Sequence, residues 1–184
     1  GQARDWKDKH ATSAVPGRKT NLKTHTHRIM TINEQQDEVI EEFEGFTDWM
    51  DKYQMLIDLG NDLEPLDPMY KTEQNLIDGC QSRVWLQADY RDGKIEFTAD
   101  SDALITKGII ALLIEVLSGH TPKEIAGADL YFIDRIGLKD HLSPTRSNGL
   151  LAMVKQIRMY AIAYEAKEEE SAQGNAAGED APHA

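Results

Sequence analysis

The segment RVWLQADYRDGKIEFTA, from Arg83 to Ala99, decides the fold class because hydrophobic and polar side chains alternate along it. Its two alternating runs are separated by Asp92-Gly93, a dipeptide typical of the tight turns that join antiparallel strands. The segment therefore predicts a β-hairpin with one buried face. A shorter strand around residues 75 to 77 is expected to pair with the first of these strands, which gives a small antiparallel three-stranded sheet.

Helical patterns precede this hairpin. Thr31 and Glu34 have the spacing of a capping box, in which a hydroxyl and a carboxylate satisfy the first free amides of a helix. A second helix, from about Thr47 to Leu59, is expected to stop at Gly60, because glycine commonly ends a helix. Pro65 and Pro68 mark an extended connection to the sheet.

Helical patterns also follow the hairpin. A helix is expected from Ser101 to Leu117, and Thr121-Pro122-Lys123-Glu124 forms a second capping box. Ser143 is the expected start of a long last helix, whose apolar positions recur at helical spacing: Leu150, Met153, Val154, Ile157, Ala161 and Tyr164. Helices on both sides of a small antiparallel sheet predict an α+β fold, with the sheet packed against helices.

Composition divides the chain into three parts. Residues 1–29 have a net charge of +5 and no regular period, which predicts a disordered basic leader or sequence upstream of a true start at Met30. Residues 30–164 are expected to form one folded domain. Residues 165–184 are acidic at first and then rich in Ala and Gly, which predicts a flexible tail.

Charge and hydropathy exclude several functions. The chain carries a net charge of -12, and a surface this negative repels phosphate backbones, so we expect no nucleic-acid partner. No segment approaches the roughly 20 consecutive apolar residues of a membrane helix, and no apolar signal segment stands near the amino terminus. The sequence therefore predicts no membrane partner and a cytoplasmic location.

Cys80, in the stretch IDGCQS, is the only cysteine among the 184 residues. One thiol cannot form an internal disulfide or a thiolate-rich metal site, so we expect no bound metal and a reducing compartment. The expected strand pairing puts Cys80 in a turn, where Gly79 permits a positive φ and leaves room beside the sulfur. Asp78 opposes ionisation of the thiol and Arg83 favours it, so the direction of its pKa shift is open at this point.

Two catalytic functions of Cys80, in a cysteine hydrolase and in a thioredoxin-like protein, find little support in the sequence. A cysteine hydrolase needs a histidine beside the sulfur, and His120 and His141 are the candidates, but neither comes with an oxyanion-hole motif. A thioredoxin-like mechanism needs a second, resolving cysteine. A non-catalytic binding module, in which the cysteine is incidental, is the main alternative.

Charged and polar residues at two expected helix starts are further candidates for a functional or structural role. Arg146 lies in the first turn of the expected last helix, where the helix dipole disfavours a cation. It either forms a structural salt bridge or binds an anionic group of a partner or cofactor. Asp100, Ser101 and Asp102, where strand meets helix, are expected to cap that helix.

Four blocks of sequence together resemble the SufE family of sulfur-acceptor proteins. They are YQMLIDLGNDLEPL (53–66), GCQSRVWL (79–86), FTADSDALITKGIIALL (97–113) and GLKDHLSPTRSNGLLAM (137–153). The resemblance covers residues 33 to 163 and implies the α+β fold that this family shares with the scaffold protein IscU.

The resemblance also implies a function. SufE proteins accept sulfur from the persulfide of a pyridoxal-phosphate cysteine desulfurase, SufS, and pass it to an iron-sulfur scaffold, SufBCD. They act as accessory proteins that activate the desulfurase, and a sister pair of the Csd type is the alternative setting. The pyridoxal phosphate belongs to the desulfurase, so no cofactor is expected here.

The resemblance also assigns roles to residues. It makes Cys80 the acceptor and places Arg146 at the desulfurase interface, and Gly79, Gln81 and Ser82 are the expected persulfide- and partner-binding neighbours of the thiol. The family's cysteine loop is thought to hide its thiol in an apolar pocket, which Trp85 and the apolar sheet face are expected to line.

Overall fold

A computed structural model describes residues 29–177 of the chain. Its centre is the expected hairpin, formed by β1 (Val84–Arg91) and β2 (Lys94–Ser101). The strands pair antiparallel, from Val84 opposite Ser101 to Arg91 opposite Lys94. Asp92 and Gly93 have φ angles of 53° and 77°, as the tight two-residue turn requires. The hairpin prediction is therefore confirmed.

The sheet of the described residues has two strands, so the third strand is not confirmed. Residues Glu73–Asn75 form a 3-10 turn, and only Leu76 makes an isolated antiparallel bridge, to Trp85. The amide of Ile77 donates to the carbonyl oxygen of Val84 at 2.9 Å. The segment does run beside β1, but the 3-10 turn prevents it from adding further ladder hydrogen bonds.

Six α-helices surround the hairpin in residues 29–177: α1 (Ile32–Glu44), α2 (Trp49–Asn61), α3 (Leu104–Leu117), α4 (Pro122–Gly127), α5 (Phe132–Arg135) and α6 (Pro144–Ala177). The hydroxyl half of each expected capping box is observed. The hydroxyl of Thr31 accepts from the amide of Glu34 at 3.1 Å, and that of Thr121 accepts from the amide of Glu124 at 3.2 Å. Local sequence therefore sets where α1 and α4 begin.

The predicted helix stop at Gly60 is wrong, because α2 continues to Asn61. Gly60 is buried where α2 crosses α3, and a Cβ there would stand 2.9 Å from the amide nitrogen of Gly108. A Cβ at Gly108 would stand only 2.1 Å from the carbonyl oxygen of Leu56. Both glycines are therefore needed for the close approach of two helices.

Helix α3 is the centre of the core, and nine of its residues are buried. The apolar sheet face packs on it, with Ile95 and Phe97 almost wholly buried. Helix α6 adds the expected stripe, of which Leu150, Met153, Ile157 and Ala161 are buried, while Val154 and Tyr164 are partly exposed. The α+β class is confirmed, with helices packed against a two-stranded antiparallel sheet.

Helix α6 does not end at the acidic segment that begins at Glu165 but runs on to Ala177. The ring of Tyr164 stacks on that of Tyr90 at the hairpin, with 5.1 Å between their centroids, and the Tyr90 hydroxyl donates to Glu168. These contacts tie the first turn of the predicted tail to the sheet. Residues 178–184 of that tail, and residues 1–28 of the predicted leader, lie outside the described residues.

Membrane insertion by a helix finds no support within residues 29–177. None of the helices described there has both the length and the apolar character that crossing a bilayer requires.

Candidate functional site

Cys80 lies in the loop that connects the bridge at Leu76 to β1. Gly79 has a φ of +91°, a conformation that other residues rarely adopt, so the turn before the thiol depends on glycine. The sulfur is partly exposed, and its thiol donates a long hydrogen bond to the carbonyl oxygen of Gly149, with 3.6 Å between the atoms. The expected turn position is thus observed.

The loop rests on the first turns of α6 through small residues. A Cβ at Gly79 would stand 3.3 Å from the Cβ of Ala152, and a Cβ at Gly149 would stand 3.5 Å from the sulfur of Cys80. These are ordinary or slightly tight contacts, in contrast to the α2–α3 crossing. The loop therefore lies on α6 without being locked into it.

A cavity of about 270 Å³ opens beside the sulfur. Three elements line it: the loop, the start of α3 and the start of α6. The lining residues are Cys80, Gln81, Ser82, Ala103, Thr106, Ile109, Ser143, Thr145, Arg146, Gly149 and Met153. One water needs only roughly 10 to 15 Å³ of such space, so the cavity has ample room for an added sulfur atom.

The prediction that Trp85 lines this cavity is wrong. Residues alternate across a strand, and Val84 and Leu86 are the buried neighbours, so Trp85 faces the other side of the sheet. Its ring lies under two cations there, with Lys71 Nζ 5.6 Å and Arg83 Cζ 5.5 Å from the centroid. The apolar part of the cavity wall comes instead from helices, chiefly Ile109 and Met153.

Partial burial raises the pKa of the Cys80 thiol above its ordinary value. The physical cause is desolvation, because a thiolate loses more hydration than a thiol when it is buried. This settles the question that Asp78 and Arg83 left open. Burial therefore favours the neutral thiol of Cys80 over the thiolate, which is the nucleophilic form.

The base of the loop is held by Asp102. Its carboxylate accepts from the Arg83 amide at 3.0 Å and from Arg83 Nε at 3.2 Å, while Ser101 Oγ donates to the Arg83 carbonyl at 2.8 Å. The prediction that Asp100, Ser101 and Asp102 cap α3 is wrong for the two carboxylates, because the N-cap is Ala103 and neither carboxylate binds an amide of the helix. Ser101 Oγ does accept from the Ala103 amide at 3.3 Å. Ser101 and Asp102 instead join the end of β2 to the start of β1.

Asp100 binds two lysines rather than capping the helix. Its oxygens lie 2.6 Å from Lys71 Nζ and 3.3 Å from Lys107 Nζ. Partial burial alone would raise the pKa of Asp100, but hydrogen bonds from Lys71, from the Ser101 amide and from Lys107 outweigh that effect. They hold the pKa below its ordinary value, so Asp100 stays ionised.

The position of Arg146 distinguishes between a structural salt bridge and a binding site for an anionic group. Its amide donates to Ser143 Oγ at 3.3 Å, which confirms Ser143 as the helix start, and its side chain is exposed on the cavity lining. Within residues 29–177, its guanidinium forms no salt bridge. A cation left without a structural partner at the first turn of a helix favours the functional interpretation.

The two histidines of the hydrolase alternative are engaged elsewhere. His120 is buried, and its Nδ1 lies 3.3 Å from a Glu124 oxygen. His141 stacks on Trp49, with 3.7 Å between ring centroids. Neither histidine lines the cavity of Cys80. Within residues 29–177 no cluster of His, Cys, Asp and Glu is placed to hold a metal ion.

The structure thus brings together four of the five predicted site residues, since Cys80, Gln81, Ser82 and Arg146 share the cavity. Gly79 shapes the loop without lining it. Sequence reasoning missed the residues that α3 and α6 contribute, such as Thr106, Gly149 and Met153. A glycine three residues beyond Arg146, inside a predicted helix, was the available signal, because such a glycine often permits a close approach.

Comparison with solved structures places the fold. The solution structure of a hypothetical protein from Thermus thermophilus superposes with a TM-score of 0.59 at 22% identity, covering 70% of this chain and 94% of that one. At this identity the similarity concerns the fold alone.

Two other proteins are more similar to this chain in sequence than that structure is. An uncharacterized SufE-like protein of Synechocystis is 39% identical over 127 residues, which cover 69% of this chain and 80% of that protein. SufE-like protein 1, chloroplastic/mitochondrial, of Arabidopsis thaliana is 39% identical over 139 residues, 74% of this chain but only 38% of that longer protein. The organelles in the latter name do not confirm the cytoplasmic location predicted here.

Comparison with protein-family models gives the same family as the two SufE-like relatives. The model of the SufE family, described as an Fe-S metabolism associated domain, matches residues 37–161, which include β1, β2, Cys80 and the cavity. The match spans more than half of the chain. On these grounds the chain belongs to the SufE family.

Proposed function

We propose that this chain is a sulfur carrier that accepts a sulfane sulfur on Cys80 from a pyridoxal-phosphate cysteine desulfurase and passes it to an iron-sulfur scaffold. The observation that carries the proposal is the position of the sulfur, on a glycine-containing loop at the wall of a cavity whose rim includes Arg146. Membership in a family associated with Fe-S metabolism supports it.

The chemistry is an exchange between two sulfur atoms. The Cys80 thiolate attacks the outer sulfur of the persulfide on the desulfurase, a new sulfur–sulfur bond forms on Cys80, and the old one breaks. The electron pair of the broken bond stays on the cysteine of the desulfurase, which leaves as a thiolate. No net oxidation occurs, and the freed desulfurase cysteine begins another cycle, so turnover of the desulfurase rises.

The raised pKa of Cys80 gives this reaction a partner-dependent switch. In the isolated chain burial keeps the thiol neutral, which protects it from unwanted oxidation. A single long hydrogen bond to Gly149 and ordinary contacts with α6 hold the sulfur in place. Binding to the desulfurase then supplies the free energy that moves the loop outward, where the thiol ionises and reacts.

A persulfide on Cys80 can occupy the cavity when the loop returns to its position on α6. The cavity beside the sulfur has room for the extra atom, and Ile109 and Met153 form the apolar part of its lining. The wall shields it from thiol reductants until a scaffold of the SufBCD type accepts it. On this proposal the chain is an accessory protein with no cofactor of its own, and the pyridoxal phosphate stays in the desulfurase.

A desulfurase assay tests the carrier mechanism. Adding this chain to a SufS-type desulfurase with cysteine should accelerate alanine formation, and Cys80→Ser should abolish the acceleration. Mass spectrometry of the product should show a gain of ~32 Da, as expected for one added sulfur. Because Cys80 is the only cysteine, that gain locates the sulfur on it.

The outcomes separate the alternatives. Stimulation that survives Cys80→Ser, with no added sulfur on the wild type, would show a non-catalytic regulator instead of a carrier. Repeating the assay with a Csd-type desulfurase tells which of the two desulfurase systems the chain serves, because the cognate enzyme saturates at the lower concentration of this chain.

Arg146→Ala tests the rim of the cavity. We expect the concentration of this chain that half-saturates the desulfurase to rise about tenfold, as truncation of an important interface residue does. Stability should be unchanged, because the Arg146 side chain forms no salt bridge in the described residues. Arg135→Ala, which removes another exposed cation, is the matched control. Equal effects of both variants would leave only general charge as the explanation.

A further inference from the structure

Helix α6 exposes an apolar stripe, which no part of residues 29–177 covers, on the side opposite its buried stripe. Leu151, Met159 and Ile162 are 53%, 52% and 58% exposed. With Lys155 they recur at spacings of three and four residues, so they share one face of the helix. We call these four residues the outer stripe. Large apolar side chains gathered on one exposed helix face are typical of an interaction surface.

The part of α6 that carries the outer stripe is basic, although the chain as a whole is acidic, and Lys155 is the cation within the stripe itself. No Asp or Glu occurs between Asp140 and Glu165, while Arg146, Lys155 and Arg158 do, in a chain with a net charge of -12. This part of α6 therefore stands out from the rest of the surface. It fits a partner surface that combines apolar side chains with carboxylates.

The stripe begins beside the cysteine loop. Gly79 packs against Ala152, and Leu151 is the next residue along the same helix. From Leu151 to Ile162 the helix advances about 16 Å at 1.5 Å per residue. A protein that covers the Cys80 loop would therefore meet the stripe as a continuation of the same surface.

We propose that the outer stripe is a docking surface for the cysteine desulfurase, one that binds an apolar patch edged by carboxylates next to the desulfurase active site. This inference rests on the proposed function and adds to it a second contact region, outside the cavity. The stripe sets affinity for the partner, while Cys80 carries the sulfur.

Other occupants fit the stripe less well. A second copy related by a two-fold axis would place the same basic surface against itself. A head-to-tail contact with the acidic part of another copy would leave open ends and form chains rather than a closed pair. The amino-terminal residues 1–28 are basic as well, with a net charge of +5, so they do not complement this surface.

Affinity measurements with serine variants test the stripe. The double variant Met159→Ser with Ile162→Ser is titrated against a purified SufS-type desulfurase, in a chain that also carries Cys80→Ser so that no sulfur moves during the titration. The dissociation constant should rise about tenfold. Met50→Ser, which changes a methionine that is 70% exposed on α2, is the matched control and should leave it unchanged.

A charge reversal forms the second arm. Lys155→Glu should also raise the dissociation constant, and most strongly at low ionic strength, because the charge is exposed. Lys123→Glu, on α4, makes the same change in net charge away from the stripe and should have little effect. Circular dichroism verifies that α6 is retained in each variant.

The affinity measurements can contradict the docking surface while the proposed sulfur transfer remains supported. If wild-type chain gains sulfur on Cys80 but the stripe variants bind the desulfurase as tightly as their controls, the stripe is not the docking surface. If they instead change from dimer to monomer on sedimentation, the stripe joins two copies and the inference is wrong. If wild-type chain gains no sulfur at all, it is the proposed function that fails.

Discussion

Two of the contacts that glycines make within residues 29–177 differ in how much space they leave. At the α2–α3 crossing, a Cβ on Gly108 would stand 2.1 Å from the carbonyl oxygen of Leu56. At the contact between the cysteine loop and α6, a Cβ on Gly149 would stand 3.5 Å from the sulfur of Cys80. The first distance is far inside van der Waals contact and the second is an ordinary contact.

The difference shows how one fold combines a closely packed helix crossing with a loop that is packed less tightly. The crossing lies among buried residues, where close packing leaves no alternative arrangement. The loop borders an open cavity, and the sulfur of Cys80 makes one long hydrogen bond, to Gly149. The proposed sulfur transfer needs both, because the core must hold the loop in position while the sulfur leaves.

Gly108→Ala should have the largest effect on stability. The added methyl group cannot fit beside the backbone of Leu56, so the two helices must separate and the core between them must repack. We expect the free energy of unfolding to fall by at least about 3 kcal/mol, the upper part of the range for overpacked cores. Urea unfolding followed by circular dichroism measures it.

Gly174→Ala is the control for Gly108→Ala. It makes the same change in α6, where a Cβ would meet nothing within 4 Å. An unchanged or slightly raised stability is expected there. If Gly108→Ala behaved in the same way, the crossing would be less tight than the distances state.

Gly149→Ala should give a smaller effect of opposite sign. Its Cβ makes an ordinary contact with Cys80, and alanine is favoured over glycine inside a helix by roughly 0.5 to 1 kcal/mol. We expect the free energy of unfolding to rise by about that amount in the same urea experiment. A loss comparable to that of Gly108→Ala would abolish the contrast between the two contacts.

The pH dependence of Cys80 is the smallest effect and the most direct test of its burial. Its pKa is raised in the folded chain, so the rate of alkylation by iodoacetamide should reach half its maximum above the pH of about 8.5 expected for a free thiol. Saturation with desulfurase should shift that midpoint to lower pH. A midpoint at or below that of free cysteine would contradict burial of the thiol.

The same pKa shift affects stability with a defined sign. A raised folded-state pKa contributes stability below a pH of about 8.5 that is lost as pH rises through the folded-state value. Wild-type chain should therefore lose stability relative to Cys80→Ser between about pH 7 and pH 10. Urea unfolding of both proteins at the two pH values measures the difference.

Local patterns predicted much of the fold. The alternation around Asp92-Gly93 indicated the hairpin, and the capping boxes at Thr31 and Thr121 indicated two helix starts. The turn position of Cys80 was predicted from the pairing of residues 75 to 77 with β1, of which the structure retains one bridge, at Leu76. Each of these depends on residues within a few positions of one another, so the sequence carries the information directly.

The predictions were wrong where contacts with a distant segment determine the local structure. Gly60 reads as a helix stop, but Gly108 makes it a packing residue. Asp102 reads as a helix cap, but Arg83 takes its carboxylate. Residues 75 to 77 read as a strand, but they form a 3-10 turn and one bridge. Each competing partner is more than ten residues away in the chain or, for the last, depends on how the turn packs.

The sequence by itself determined the α+β class, the hairpin and several helix starts, because periodicity and caps are local properties, and its single cysteine made Cys80 the candidate sulfur acceptor. Only the tertiary structure decided which walls surround the sulfur, the direction of its pKa shift and the exposure of the outer stripe on α6. These depend on desolvation and on the contacts between α3, α6 and the loop, which no single stretch of the chain contains.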